Sequence, residues 1–145
     1  MLKKNIFILI GVFLALSGGF VFFILKSEVK TASIKGKTLS LEIADTNDKK
    51  ERGLGGRDNL CENCAMLFIF SEKYTPAFWM KDMRFDLDII WVRKGRIVYI
   101  AKNVSRNLSE NAVSLRIEAD KVLEVNAGLS DKYGFEAGDE VDFKK

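Results

Sequence analysis

The stretch Ala65-MLFIFSEKYTPAFWMKDMRFDLDII-Trp91 decides the fold, and the rest of the chain is read outward from it. It holds both Trp, the single Pro and a polar set (Lys81, Asp82, Arg84, Asp86, Asp88) embedded among aromatic residues. Met66 to Phe70 places Met66, Phe68 and Phe70 on one side of an extended chain and Leu67 and Ile69 on the other. A strand that is apolar on both sides belongs in the middle of a sheet, covered twice. Asp86 to Val92 continues the pattern, with Leu87, Ile89 and Trp91 on one face and Asp86, Asp88 and Ile90 on the other.

The flanking segments extend this β reading. Thr38 to Ala44 alternates and predicts a half-buried strand. Asp45 to Asp48 offers helix caps before a short helix over Lys49 to Arg52, stopped in the Gly53 to Gly56 region. Pro76 to Met80 begins another strand. Arg93-Lys94-Gly95 makes a tight hairpin into a strand over Arg96 to Val104. Val113 to Ile117 and Lys121 to Asn126 read as strands, Ser130 to Tyr133 as a helical turn closed by Gly134, and Glu140 to Phe143 as the last strand. About eight short strands with two small helices predict a mainly β domain, a β-sandwich or barrel-like fold, over residues 38–145.

Ahead of it, Ser27 to Lys37 reads as a juxtamembrane linker. Ile6 to Leu25 carries no charge, and roughly 20 apolar residues span a bilayer core. With Lys3 and Lys4 before it, the run predicts an N-terminal transmembrane helix within residues 1–26, its N-terminus cytoplasmic and the domain extracytoplasmic. The rival is a cleaved signal peptide, which would release a secreted domain. The small residues Ser17-Gly18-Gly19 lie inside the run rather than at its end, which favours the anchor.

Charge narrows the partners. The chain has 23 basic and 20 acidic residues and no His. Lys3, Lys4 and Lys26 account for the excess of three, so the outer domain is formally neutral and no nucleic-acid partner is expected. Without His, catalytic triads and imidazole metal sites are excluded. No metal or cofactor is expected, because a closed zinc site needs four ligands and only one Cys pair exists.

Several strings occur together in order: Glu42-Ile-Ala-Asp-Thr, Glu51-Arg-Gly-Leu-Gly-Gly-Arg57, Met66-Leu-Phe-Ile-Phe70, Phe78-Trp-Met-Lys81, Leu87-Asp-Ile-Ile-Trp91, Val122-Leu-Glu-Val-Asn-Ala-Gly128, Tyr133-Gly and Gly138-Asp. From about Thr38 to the C-terminus they resemble the bacterial and archaeal domain of unknown function 192 family. The resemblance implies a mainly β, sandwich-like domain, often exported, with no established activity. The sequence departs from the family pattern at Gly55, where Met is usual, at Asp82-Met83, where Asn-Thr is usual, and at the Cys pair.

Cys61-Glu-Asn-Cys64 has the spacing of a redox pair, but strand residues follow it and Glu62 lies inside it, a poor setting for a thiolate. A structural disulfide is the bland alternative, and metal-bound or free thiols remain open. In Phe78-Trp-Met-Lys81 alternation turns Trp79 and Lys81 to the same side. That is a platform for a flat ring or sugar face, unless Trp79 is core and Lys81 a solvated rim charge. Asp88 is followed by Ile90 on its face, so burial is expected, with Arg52 or Arg57 as partner. Glu124 interrupts an apolar strand, as a solvent-facing acid or part of a polar pocket.

These residues lead to a non-catalytic binding module for a carbohydrate or another small polar envelope ligand. Trp79, Lys81, Arg52, Arg57, Asp88 and Glu124 are the ligand-binding candidates. One alternative is a carboxylate-dependent hydrolase using Asp88 and Glu124, which needs the two carboxyls about 5–10 Å apart. The other is a structural or assembly partner of an envelope protein.

Overall fold

The computed structural model describes residues 30–70, 75–108, 113 and 116–144. Before them it describes only backbone pairings of two residues each, Gly11–Val12 with Phe23–Ile24 and Ala15–Leu16 with Gly19–Phe20. The transmembrane segment read within residues 1–26 otherwise lies outside the described residues. Among those described, no helix is long and apolar enough to cross a membrane.

The domain is one curled seven-stranded sheet with two short helices, a half-barrel. Its strands are β1 (Thr31–Ile34), β2 (Lys37–Ala44), β3 (Cys64–Ile69), β4 (Leu87–Arg93), β5 (Arg96–Val104), β6 (Lys121–Asn126) and β7 (Val141–Lys144). Helix α1 (Asn47–Arg52) follows β2 and helix α2 (Leu129–Tyr133) follows β6. The spatial order is β7-β1-β2-β3-β6-β4-β5, antiparallel except for the β2–β3 pair. Helix α1 lies in the crossover between those parallel strands, and the segment between β3 and β4 docks on it through Trp79. The two edge strands meet at one corner, where Arg96 bridges Glu140 and the Val141 amide donates to the Gly95 carbonyl at 2.8 Å. Curling brings the edges together and leaves less open edge for another chain to pair with.

Each face of the sheet has its own core. All seven strands send residues into the first: Ala32 and Ile34, Leu39, Ala65 and Leu67, Ile90 and Val92, Ile97, Leu123 and Val125, and Val141. Leu129 of α2 and Phe135 beyond it close that core. The second contains Met66, Phe68, Leu87, Ile89, Trp91 and Val122, roofed by Leu54, Phe78 and Met80 from loops. Phe78 is the hub of the roof, with edge-on rings from Phe68 at 5.0 Å and Trp91 at 5.7 Å between centroids. The two-sided burial read from Met66 to Phe70 holds in β3 for Met66, Leu67 and Phe68, whereas Ile69 at the end of the strand is exposed.

Three readings are corrected. The segment read as a linker, residues 27–37, contains β1, whose Ala32 and Ile34 are fully buried. Lys35 and Gly36 both take positive φ (48° and 78°), as Lys94 and Gly95 do (50° and 74°), so both hairpins turn on a Lys-Gly pair. Pro76 to Met80 is not a strand, and the described residues of the segment read as Val113 to Ile117, namely 113, 116 and 117, form none: Phe78 and Val113 make one isolated bridge. The alternation nevertheless holds in the irregular segment, with Phe78 and Met80 buried and Trp79 exposed.

Cys61 and Cys64 are joined by a disulfide that closes the turn into β3, where the Cys64 amide also donates to the Cys61 carbonyl at 3.1 Å. Asn126 donates its side-chain amide to the Leu60 and Cys61 carbonyls, fixing this turn against the end of β6. Cross-linking so short a loop stabilises by roughly 2 kcal/mol in the chain-entropy picture. The Cys61→Ser, Cys64→Ser double variant is therefore expected to fold, with an unfolding free energy from urea denaturation lowered by no more than that amount.

Candidate functional site

The register of the central strands places the candidate carboxylates. Glu42 pairs with Met66, Met66 with Glu124, and Glu124 with Ile89, so these four form one row on the second face of the sheet. Asp88 pairs with Val125, in the next row, and points to the first face. Asp88 and Glu124 thus lie on opposite faces and cannot flank one bond. The carboxylate pair required for the hydrolase reading is not formed.

Asp88 has a different task. It is fully buried and meets neither Arg52 nor Arg57. Its carboxylate accepts backbone N–H bonds from Asn103 at 2.8 Å, Gly128 at 3.1 Å and Ser130 at 2.8 Å. Asn103 and Gly128 have positive φ (52° and 80°). A carboxylate can satisfy several donors at once, so Asp88 ties α2 and the end of β5 to β4. The expected Arg–Asp clasp is replaced by an acid-to-backbone clasp.

Arg57 grips Glu42 through two parallel bonds of 2.6 and 2.7 Å. Both side chains are more than a third exposed, so the pair is worth at most about 1 kcal/mol. The hydrogen bond from Arg57 holds the Glu42 carboxyl below its ordinary range. The charge of Arg57 also acts on Glu124, but burial dominates there and pushes that carboxyl up to about 8. Glu124 is 4% exposed, and its Oε2 has no hydrogen-bonding partner among the described residues.

The turn after α1 keeps space beside that oxygen. Thr46 caps α1 by accepting from the Lys49 amide, and Gly53 ends it at φ 51° and ψ −132°, a conformation suited to glycine. A Cβ on Gly53 would stand 3.7 Å from Glu124 Oε2 and 3.6 Å from Phe68 Cζ. Here a cavity of about 280 Å³ opens, walled by Leu54, Phe68, Phe70 and Phe78 and bordered by Trp79 and Lys81, with Glu124 in its lining.

Trp79 and Lys81 also line a wider, open concavity of about 850 Å³, with Arg52, Glu51, Asp82 and Arg84. Trp79 is 45% exposed, and its indole N–H donates to the Glu51 carbonyl at 3.3 Å, which fixes the ring against α1. Neither the Arg52 guanidinium nor the Lys81 ammonium has a side-chain partner among the described residues. Two loops shape this surface. Gly56 N–H donates to the Asp82 carbonyl at 2.9 Å, and Arg84 pairs with Asp58. Gly55 is pressed between them: a Cβ there would meet the Arg52 and Lys81 carbonyls at 3.0 and 3.1 Å. Two of the departures noted in the sequence, Gly55 and Asp82-Met83, therefore sit together on this concavity.

Trp79, Lys81 and Arg52 thus converge on one concave surface, which continues into the aromatic cavity reaching Glu124. Arg57 lies beside it, lining a third hollow with Glu42, Arg52 and Gly53. Asp88 is absent from it. Gly53, Phe68, Phe70 and Phe78 were not among the sequence candidates; the signal available was the Gly-Leu-Gly-Gly run after a short helix.

The family model described as DUF192, an uncharacterised ACR, matches residues 29–143. The chain belongs to this family. A crystal structure of a Novosphingobium aromaticivorans protein of unknown function superposes on this DUF192 domain with a TM-score of 0.72 at 24% identity, covering 90% of this chain and 92% of that one. A Sinorhizobium meliloti protein labelled a candidate transcription regulator gives a TM-score of 0.72 at 30% identity, covering 79% and 93% respectively. No curated protein matches this chain.

Proposed function

We propose that this DUF192 domain is a non-catalytic binding module for a small polar ligand, a carbohydrate in the first instance, held outside the cytoplasm by an N-terminal anchor. One observation carries the reading. An exposed Trp face shares a concave surface with Arg52 and Lys81, cations without a side-chain partner among the described residues, and that surface deepens into an aromatic cavity. An indole fixed by a hydrogen bond at its edge is a rigid platform for the apolar face of a sugar, and the flanking cations supply directional donors at its rim. Arg57, paired with Glu42, supports the neighbouring wall rather than offering a free donor. The compartment rests on Lys3 and Lys4 before the apolar run and on a disulfide of the kind that persists in oxidising surroundings. The Sinorhizobium label is not carried over, since residues 27–145 have no net charge with which to attract a phosphate backbone.

Trp79→Ala tests the proposal by glycan-array retention and thermal melting together. Retention of the glycan bound by the unmodified protein is expected to vanish while the melting temperature changes by only a few degrees. Undiminished retention, or a collapse of folding that makes Trp79 a core residue, contradicts it.

A further inference from the structure

We infer that the aromatic cavity ending on Glu124 is a subsite for the acylamino group of an N-acylated amino sugar; this deepens the binding reading above and rests on it. The cavity, at about 280 Å³, greatly exceeds what one bridging water requires, and it is walled by Leu54, Phe68, Phe70 and Phe78. A buried carboxyl oxygen without a partner among the described residues adjoins the space that Gly53 leaves open. A buried polar group of this kind calls for a complementary partner.

Burial favours the protonated form of Glu124, so at neutral pH the site presents an O–H donor and wants an acceptor. The charged groups bordering the cavity are Lys50, Arg52 and Lys81 against Glu51 alone, with Arg57 acting on Glu124 from the adjoining hollow. Lys50 already lies over the Phe70 ring, 4.9 Å from its centroid. That excess of positive charge disfavours an ammonium ligand, the other obvious match for a carboxyl among aromatic rings. A carbonyl carrying a small alkyl group meets both demands: its oxygen accepts from Glu124 and its methyl packs on Phe68 and Phe78. Trp79, at the mouth of the same cavity, is placed for the sugar ring that carries the group. Arg52 and Lys81 remain free for hydroxyls or an acidic substituent.

The test compares chitotriose with cellotriose, which lacks the acetamido groups, by calorimetry on the full chain and on Glu124→Leu, Glu124→Gln and Trp79→Ala. The unmodified protein is expected to bind chitotriose at least tenfold more tightly than cellotriose. Glu124→Leu should bring the two sugars within about twofold. Glu124→Gln, which keeps a donor of nearly the same shape, should retain the preference and guards against a folding failure of the Leu variant. Trp79→Ala should weaken both sugars together. Equal affinity of the unmodified protein for the two sugars, or a preference that survives Glu124→Leu in a folded protein, overturns the subsite and leaves the carbohydrate reading standing. Binding of neither sugar overturns the subsite, and failure to retain any glycan on the array removes the broader reading as well.

Discussion

Between pH 4.5 and pH 8 the unmodified domain is expected to lose stability through Glu124, and the Glu124→Gln variant to lack that loss. The unfolded carboxyl titrates near its ordinary value of 4.5, whereas burial raises the folded one to about 8. Within that window the folded state holds a proton that the unfolded state has released, so raising the pH favours unfolding. The contribution of the protonated form is complete below pH 4.5 and is lost as the pH passes through 8. The limiting slope is about 1.4 kcal/mol for each pH unit, giving roughly 4 kcal/mol across the window. That is a large share of the stability of a small domain, which is on the order of 5–15 kcal/mol. Gln has nearly the same shape and does not titrate. Urea denaturation at a series of pH values should therefore show the two proteins alike near pH 4.5 and the variant more stable by several kcal/mol at pH 8. Parallel curves would mean that Glu124 is hydrated and ionised in the folded protein.

Asp88→Ala is expected to be the most damaging of the carboxylate substitutions, lowering stability by about 3–5 kcal/mol. The carboxylate is the acceptor for the amides of Asn103, Gly128 and Ser130, in a setting closed to solvent at Asp88 itself. Its removal leaves three donors without it, and an unsatisfied buried donor costs about 1–3 kcal/mol. The two left-handed residues, Asn103 and Gly128, also lose the group that holds their turns in place. Asp88→Asn, which keeps one acceptor oxygen, should fall between Ala and the unmodified protein. Chemical denaturation measures all three, and a loss below about 1 kcal/mol for Ala would show that the turns support themselves. Because Asp88 faces away from the Trp79 concavity, variants that remain folded should bind ligand normally.

The parts legible in the sequence are those that alternation controls. Met66 to Phe70 announced a strand covered on both sides, and Phe78 to Met80 gave the right faces without being a strand. Thr31 to Ile34 was missed because its apolar positions are only an Ala and an Ile, too little contrast to separate a strand from a polar linker. The faces of Asp88 and Glu124 depend on the β6–β4 register, which pairs Val125 with Asp88. Nothing local in either strand fixes that pairing. The partner of Asp88 was likewise hidden, since backbone amides supplied by distant turns leave no side-chain signature. Trp79, Lys81 and Arg52 were found as a group, but the cavity behind them depends on the unusual backbone of Gly53 and on Phe68 and Phe78 reaching it from different segments.

The two indole N–H resonances offer the most direct test of the site. Trp79 is exposed and donates to the Glu51 carbonyl, whereas Trp91 is buried and donates to the Pro76 carbonyl at 3.4 Å. In a two-dimensional nitrogen–proton NMR titration with the glycan selected on the array, the Trp79 indole signal and the Gly53 amide should move together and saturate at one affinity, while the Trp91 indole stays in place. Shifts confined to the exposed Val98 and Tyr99 on β5, with Trp79 unmoved, would contradict the account and place the interaction surface on the edge strand instead.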